Sequence, residues 1–508
     1  MGYARVLSVG LVGVEGHVVE VEADLAGGLP GLTVSGLPDA ALWQGRDRVR
    51  SAILNSGESW PMRRITINLL PASLPKRGSS FDLSVAAAVL CADGAVPADG
   101  LEGVVLIGEL GLDGMVRAVR GVLPAALAAA RHGIRKLIVP LANAHEATLV
   151  PEVRVAAVDT LKRLVQFLRG EGTLLEPPAS TPEPVEEDGP DLADVAGQEL
   201  GRRALEVAAA GGHHLALFGP PGAGKTMLAE RLPSILPRLD DEAALEVTAI
   251  HSVAGTLPNN ASLIRRPPYQ APHHTSTVAA LIGGGSTVIR PGAVSLAHHG
   301  VLFLDEAPEF SPSVLDALRE PLENGEVWIC RSAGTVRYPA RVQMVMAANP
   351  CPCASPAGDQ DCACSPLTRR RYLGRISGPL MDRIDLQVEL LPVTAAQLMA
   401  TSGQPESSAV VAERVRQARA AAVSRWSRAG GWRTNADVPG AVLRSRPWRL
   451  PRAVTASADR GLETGVLSAR GYDRVIRLAW SIADLGGRDS PDPGDVNEAI
   501  FLRTRRPA

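Results

Sequence analysis

The sequence predicts an α/β protein. Its centre reads as a parallel sheet with helices on both faces, preceded by another α/β domain and followed by a helical one. Three observations carry that prediction. Short, wholly apolar runs, LALFG at 215–219, VLFLDE at 301–306 and VQMVMAAN at 342–349, are spaced by loops and helical stretches, as strands buried on both faces are. Beyond about Leu391 the chain turns helical, with 3.6-residue spacing in Val410–Ser424, Arg452–Thr464 and Ala469–Asp484. The first 170 residues alternate strand and helix patterns and run into a stretch that cannot fold.

In chain order, strand-like runs occur at Arg5–Val12, Val18–Ala23 and Arg64–Leu69. A helix-like run, Phe81–Leu90, follows the turn at Arg77–Gly78, and Val122–His132 reads as a helix before a strand at Lys136–Val139. Residues 171–190, EGTLLEPPASTPEPVEEDGP, hold five prolines, six acidic residues and no basic one. Such a composition buries too little apolar surface to order itself and reads as a linker. The expected organisation is therefore a domain at 1–170, the linker at 171–190, a core at 191–391 and a helical domain at 392–508. The 508 residues exceed what one hydrophobic core organises.

The formal net charge of −2 hides an uneven distribution. Val411–Ala508 contains 18 Arg and 10 acidic residues, a local +8. A polyanionic partner and a solvated helical surface both fit that excess. Only four of the 52 basic residues are lysine, so arginine abundance alone argues little. The opening segment alternates like a strand and carries Glu15, Glu20 and Glu22, unlike a signal peptide. No apolar run approaches the ~18–20 residues that span a bilayer. The expectation is a cytoplasmic protein without a membrane partner.

GPPGAGKT at 219–226 matches the phosphate-binding loop pattern in full, after an apolar strand and before a helix. Gly219, Gly222 and Gly224 let the backbone curl so that its N–H groups face phosphates, and the helix adds its positive end. Pro220, Pro221, Ala223 and Met227 complete the segment expected to wrap ATP. Lys225 would reach the β- and γ-phosphates, and Thr226 would ligate Mg²⁺. VLFLDE, about 80 residues on, delivers Asp305 to hold Mg²⁺ and Glu306 to polarise the attacking water. Asn349, ending a third apolar strand, suits the orientation of the same water.

DLADVAGQ (191–198), GPPGAGKT, APHHTS (271–276), SLAHHGVLFLDEAPEF (295–310), NPCPC (349–353), SGPLMDRIDL (377–386) and SARGYDRVIRLAWSIADL (468–485) resemble the magnesium-chelatase-like AAA+ family usually called YifB or ComM. The resemblance runs over essentially the whole chain. It implies an AAA+ core with a helical lid, Val195–Gln198 near the adenine and Asn349 at the sensor-1 position. It implies Arg383 as an arginine finger reaching a neighbouring subunit's γ-phosphate, and Arg470 as the sensor-2 arginine, with Arg474 as runner-up. A surface ion pair with Asp382 or Asp385 is the alternative for Arg383. A finger acting between subunits needs a ring, and the family implies a homohexamer. The insert Pro267–Ile289 resembles the helix-2 insertion that points into the ring's pore. His273 and His274 within it suit loop or packing roles better than zinc ligation.

Cys351, Cys353, Cys362 and Cys364 form C-x-C-x8-C-x-C. Four thiolates in so short a stretch can wrap a structural Zn²⁺, with free or redox-active thiols as the alternative. The cluster would brace Arg369, Arg370, Arg371 and Arg375, which could face DNA or the next subunit. GELGLDGMVRAVRGVLPAALAAARHGIRKLIVP (108–140) and KRGSSFDLSVAAA (76–88) resemble the Lon-protease-like domain that opens this family. Lon-type proteolysis needs a Ser–Lys pair. Ser80 falls near the nucleophile position, but Leu123 stands where the lysine is expected, so the domain reads as non-proteolytic.

The leading function is an ATP-driven ring motor acting on DNA, as in branch-migration helicases of recombination and natural transformation that the family includes. The alternative is a chelatase-like ATPase that remodels a protein partner without DNA. A scaffold with vestigial ATPase activity fits poorly with every catalytic position filled. Trp426, Trp432 and Trp448, set among arginines, could stack on bases, but core packing is the better reading.

Overall fold

Residues 2–37, 39–178, 189–258, 262–285, 289–331, 334–354, 362–394 and 405–504 are described in the computed structural model. Alternating burial builds the first sheet. β1 (Tyr3–Val12) pairs antiparallel with β2 (Glu15–Ala26), and Val6, Val19, Val21 and Ala23 turn inward. β3 (Gly31–Ser35), β4 (Arg64–Leu70), β5 (Val104–Leu106), β6 (Lys136–Pro140) and β7 (Arg154–Val158) complete a seven-stranded mixed sheet in the order β3-β4-β2-β1-β5-β6-β7. α1 (Ala40–Asn55) starts at Asp39, whose carboxylate accepts the Leu42 N–H. α2 (Asp82–Ala92) is buried throughout, and α3 (Val122–Arg131) and α4 (Leu161–Leu168) cover the rest of the sheet. The acidic stretch does not begin as free linker. Leu175 exchanges two backbone hydrogen bonds with Ala157 of β7, at 2.8 and 2.9 Å; residues 179–188 of that stretch lie outside the described residues.

The second sheet follows the expected parallel pattern. β8 (Leu215–Phe218), β9 (Tyr269–Gln270), β10 (Val301–Leu304), β13 (Gln343–Ala348) and β14 (Leu386–Glu389) run in the order β9-β10-β13-β8-β14, every neighbouring pair parallel. β11 (Glu326–Arg331) and β12 (Gly334–Pro339) form a separate antiparallel hairpin. The period of two divides each strand between two cores. Leu215, Leu217, Phe303, Val345 and Ala347 face one, packed with α5 (Glu199–Gly211) and α6 (Lys225–Ile235). Ala216, Phe218, Leu302, Leu304, Met344 and Met346 face the other. Helices on both faces therefore follow from strands with no polar side.

α7 (Asp241–Ala254) joins the two sheets. Ala249 lies in the core under β5 and β6, and Ser252 donates to the buried carboxylate of Glu146. The turn between β1 and β2 packs on the hairpin. Gly13 has φ +66°, and a Cβ there would come within 2.7 Å of Val336 on β12.

The C-terminal helices are α8 (Ser408–Trp426), α9 (Arg452–Glu463), α10 (Ala469–Leu485) and α11 (Pro493–Arg503). Val411, Val415, Val475 and Leu478 dock them into the core that holds α5 and α6. Trp426 is fully buried, 4.9 Å from Trp448 and 5.6 Å from Trp480 between ring centroids. Trp432 and Trp448 pack partly buried on the same cluster, so these tryptophans are core residues. Among the described residues no helix is long and apolar enough to cross a membrane.

Candidate active site

The turn after β8 is closed by glycine geometry. Gly222 and Gly224 have φ of +78° and +84°, where a side chain is strained, and a Cβ on Gly219 would meet the Leu390 carbonyl at 2.5 Å. α6 starts at Lys225 itself. The Lys225 ammonium is buried and donates to the carbonyls of Gly219 and Pro220 at 2.7 and 2.9 Å and to Asn349 Oδ1 at 3.0 Å. Burial pulls its pKa down, against the pull of the Asp305 and Glu306 carboxylates. A buried ammonium held only by neutral oxygens is a receptor for an anion. Gln198, at φ +54°, bridges the turn to the end of β14, donating to Ala223 O at 2.9 Å and Leu391 O at 2.6 Å.

The end of β10 supplies the acids. Thr226 Oγ1 donates to Asp305 Oδ2 at 2.8 Å, which joins the hydroxyl and carboxylate expected to bind Mg²⁺. That oxygen pair suits a hard cation, so the donor set fits. Glu306 follows at φ +50°, its N–H donating to Asp305 Oδ1 at 2.9 Å. Its carboxylate Oε2 lies 3.3 Å from His274 Nδ1. Lys225, Thr226, Asp305, Glu306 and Asn349 thus gather at the carboxyl ends of β8, β10 and β13.

Arg383 and Arg470 lie elsewhere. Arg383 donates to Pro379 O at 2.9 Å and pairs with Glu323, and Arg470 pairs with Asp382 at 3.4 Å. Both line a cleft of about 1220 Å³ together with Glu246, Gly300, Arg341 and Asp385. Gly300, Arg341 and Asp385 precede β10, β13 and β14, so this cleft is at the amino edge of the sheet. The six residues of β13 set the two edges about 20 Å apart. Neither arginine serves the Lys225 site of its own chain. Arg474, the alternative for Arg470, is fixed in a buried pair with Asp385. Burial pushes Asp385 up, but Arg474 and His213 outweigh it and hold its carboxyl well below the ordinary range. Its Oδ2 also accepts the His214 N–H at 3.1 Å, and Arg503 of α11 caps the adjoining carbonyls of Ile384 and Asp385. This network docks the helical lid.

The four cysteines converge. Cys351 Sγ is 3.0 Å from Cys353 Sγ and 3.3 Å from Cys362 Sγ, and all four sulfurs, Cys364 included, lie within 4.8 Å of one another. A tetrahedral cage with Zn–S bonds near 2.3 Å has S–S edges of about 3.8 Å, so the donor set fits zinc. The neighbouring arginines divide. Arg369 reaches Cys362, and Arg375 pairs with Glu309 at 3.1 Å. Arg370 and Arg371 are exposed, without a partner among the described residues.

A second cluster, Glu246 with His298 and His299, has the spacing of a metal site but not the chemistry. His298 Nδ1 accepts the Arg341 N–H at 3.0 Å, so its proton sits on Nε2, 3.1 Å from Glu246 Oε2. Burial keeps His298 neutral, with its pKa near 4. His298 therefore keeps no ring lone pair for a cation, which leaves only Glu246 and His299 of the three.

In the first domain, Leu123 is buried and its N–H donates to Glu146 at 2.8 Å. Lys76 is buried and spent on the carbonyls of Leu69 and Pro71. The His274–Glu306 contact and the β11–β12 hairpin were missed in the sequence. The hairpin's signal was there, in the alternation of EVWICR before a turn and TVRYP.

The chain is similar to known proteins along nearly its whole length. Residues 191–398 match the family described as magnesium chelatase, subunit ChlI. Residues 21–143 match subunit ChlI of Mg-chelatase, and 405–503 match the ChlI C-terminal family. An uncharacterized protein of Mycobacterium tuberculosis is 54% identical over 99% of both chains. The competence protein ComM of Haemophilus influenzae is 39% identical over 99% of this chain and 98% of its own. The uncharacterized protein YifB of Escherichia coli is 40% identical over 97% of this chain and 95% of its own.

Proposed function

The chain belongs to the magnesium-chelatase-like AAA+ ATPase family of ComM and YifB, and from that premise we propose that it is an ATP-hydrolysing homohexameric ring motor that acts on DNA. One observation carries the reading: the anion receptor at Lys225 and the arginines Arg383 and Arg470 stand on opposite edges of one sheet. A chain built this way completes its site against a second copy, and head-to-tail repetition of that contact forms a ring where its rotation closes, as the family resemblance implies. The P-loop backbone from Gly219 to Met227 cradles the phosphates, Lys225 neutralises them, and Asn349 orients the water that Glu306 polarises. Thr226 and Asp305 would hold Mg²⁺, which neutralises phosphate charge when bound. Arg383 and Arg470 reach the next subunit's nucleotide as finger and sensor.

Support for DNA comes from Arg370 and Arg371, exposed beside the cysteine cluster, and from the family resemblance to branch-migration helicases. The deciding experiment is the ATPase rate with and without single-stranded, duplex and branched DNA. Acceleration by DNA is expected. A hexamer whose rate ignores all three would move the reading to remodelling of a protein partner.

The cysteine cage is proposed to hold one structural Zn²⁺ per chain, bracing Arg369 and the helix Pro366–Leu373. Metal analysis of protein purified under reducing conditions without chelator should find it, and Cys351→Ser with Cys353→Ser should lose it. Zinc-free wild type would end the proposal.

A further inference from the structure

The tryptophan cluster of the lid is closed on one side only. Trp426 is fully buried, and its indole N–H donates to Asn435 Oδ1 at 2.7 Å. Trp480 is covered by Arg425, whose guanidinium carbon stands 4.3 Å from the ring centroid and whose charge is spent on the buried Asp484. Trp448 lies against both rings, with centroids 4.9 and 6.4 Å away. It is only partly buried, and its indole N–H has no partner among the described residues. Trp448 also lines a groove of about 660 Å³, a size within the roughly 300–1,000 Å³ of ligand sites. One wall is the face of α8 and its following turn that carries Gln417, Ser424 and Arg428, and the other is the segment after α10, residues 486–489.

The charge near this ring is held differently from the rest of the lid. Arg414, Arg416, Arg444 and Arg488 each sit on a carboxylate. Arg428, which shares the groove with Trp448, is exposed and has no partner among the described residues. The same holds for Arg446, Arg449 and Arg452, all within four residues of Trp448. Guanidiniums gathered without carboxylates repel one another, and a polyanion relieves that repulsion. The accessible indole then selects among polyanions. A duplex keeps its bases stacked on each other, whereas a single strand can lay one on the ring. An acidic peptide would use the arginines and leave the ring idle.

We propose that this groove is a second nucleic-acid site, one that takes single strands, with a base stacked on Trp448 and phosphates on Arg428, Arg446 and Arg449. This rests on the reading that the protein acts on DNA, and it names the form of DNA that the lid takes.

The test is equilibrium binding of the full-length protein to a fluorescent oligo-dT and to a duplex of the same length, across a salt series. Trp448→Leu, which keeps an apolar side chain in the cluster, should weaken single-strand binding by about fivefold or more, the lower end for one base–aromatic stack, at an unchanged salt slope. Trp448→Phe should keep most of the affinity. Arg446→Ala with Arg449→Ala should flatten the single-strand slope by about two contacts, or roughly 1.4. Neither change should alter duplex binding. Unchanged single-strand affinity in Trp448→Leu overturns the proposal, as does an equal loss on strand and duplex. If Trp448→Leu fails to fold, the arginine pair decides alone: an unchanged single-strand slope, or the same flattening on duplex, overturns it. Poly-glutamate that binds more tightly than oligo-dT and ignores Trp448→Leu would assign the groove to an acidic protein partner and overturn it too. A wild type that binds neither DNA removes the DNA reading and this inference with it. A wild type that binds both, with lid variants that bind alike, removes this inference alone.

Discussion

The carboxyl and amino edges of the central sheet are made by the same five strands, yet they hold their charges differently. At the carboxyl edge, Lys225 is buried among neutral oxygens. At the amino edge, Arg383, Arg470 and Arg474 each sit on a carboxylate. The first arrangement waits for an anion. The second stores cations until a stronger anion arrives, and partner exposure decides which of them can be released. Glu323 and Asp382 are 59% and 28% exposed, so Arg383 and Arg470 can exchange them for phosphate at modest cost. Asp385 is 4% exposed, so Arg474 cannot leave without stranding a buried charge. On the proposed function, this difference favours Arg470 over Arg474 as the sensor.

The strongest way to break the comparison is to damage one edge at a time. Lys225→Ala should abolish ATP binding. Arg383→Ala should bind ATP but lose hydrolysis by about 10³-fold or more, the range for a trans-acting arginine. Each mutant alone should be inactive, and mixing them should restore part of the activity, because some interfaces then pair an intact carboxyl edge with an intact amino edge. An Arg383→Ala protein that hydrolyses ATP at the wild-type rate would show that both halves work within one chain.

A smaller effect is expected where the amino edge serves structure instead of chemistry. Arg474→Met leaves the buried Asp385 without its guanidinium, held only by His213 and the His214 N–H, at a cost of up to about 3–5 kcal/mol in urea unfolding. Arg470→Met, facing solvent, should cost less than about 1 kcal/mol. The pH dependence has a definite sign. Asp385 has a folded pKa well below its ordinary 3.8, so its stabilisation is complete above that value and fades as pH falls below it. In Arg474→Met this acid-side loss should shrink. Equal stabilities for the two arginine variants would erase the distinction between stored and fixed cations.

Legibility in the sequence followed the range of the interaction. The strands at 215–218, 301–304 and 343–348 and the P-loop were readable because burial on both faces and a phosphate turn are written in consecutive residues. The opposition of Lys225 to Arg383 and Arg470 was not. It depends on strand polarity and on lid docking through Asp385, a residue 89 positions from Arg474. The contact of His274 with Glu306 arises only because β9 and β10 are neighbours. The run from Arg369 to Arg375 looked uniform in sequence, yet folding of the cysteine loop took Arg369 and left Arg370 and Arg371 outward.

That last division gives the smallest and most discriminating prediction. Salt dependence of DNA binding counts neutralised phosphates, with a log–log slope of about −0.9 per contact on duplex. Arg370→Glu with Arg371→Glu should flatten the slope by about two contacts, or roughly 1.8, and weaken binding. Basal ATPase should persist, since neither side chain touches the Lys225 site. Arg375→Ala should flatten the slope by less than one contact, because Arg375 must first give up Glu309 and the Pro308 carbonyl. If the four arginines act as one undifferentiated patch, Arg375→Ala will flatten the slope by a full contact. If Arg370 and Arg371 instead join subunits, the double variant will leave the hexamer when sized with ATP present, before DNA is added. Unchanged size with a flattened slope therefore assigns these two arginines to DNA, and unchanged size with an unchanged slope removes them from it.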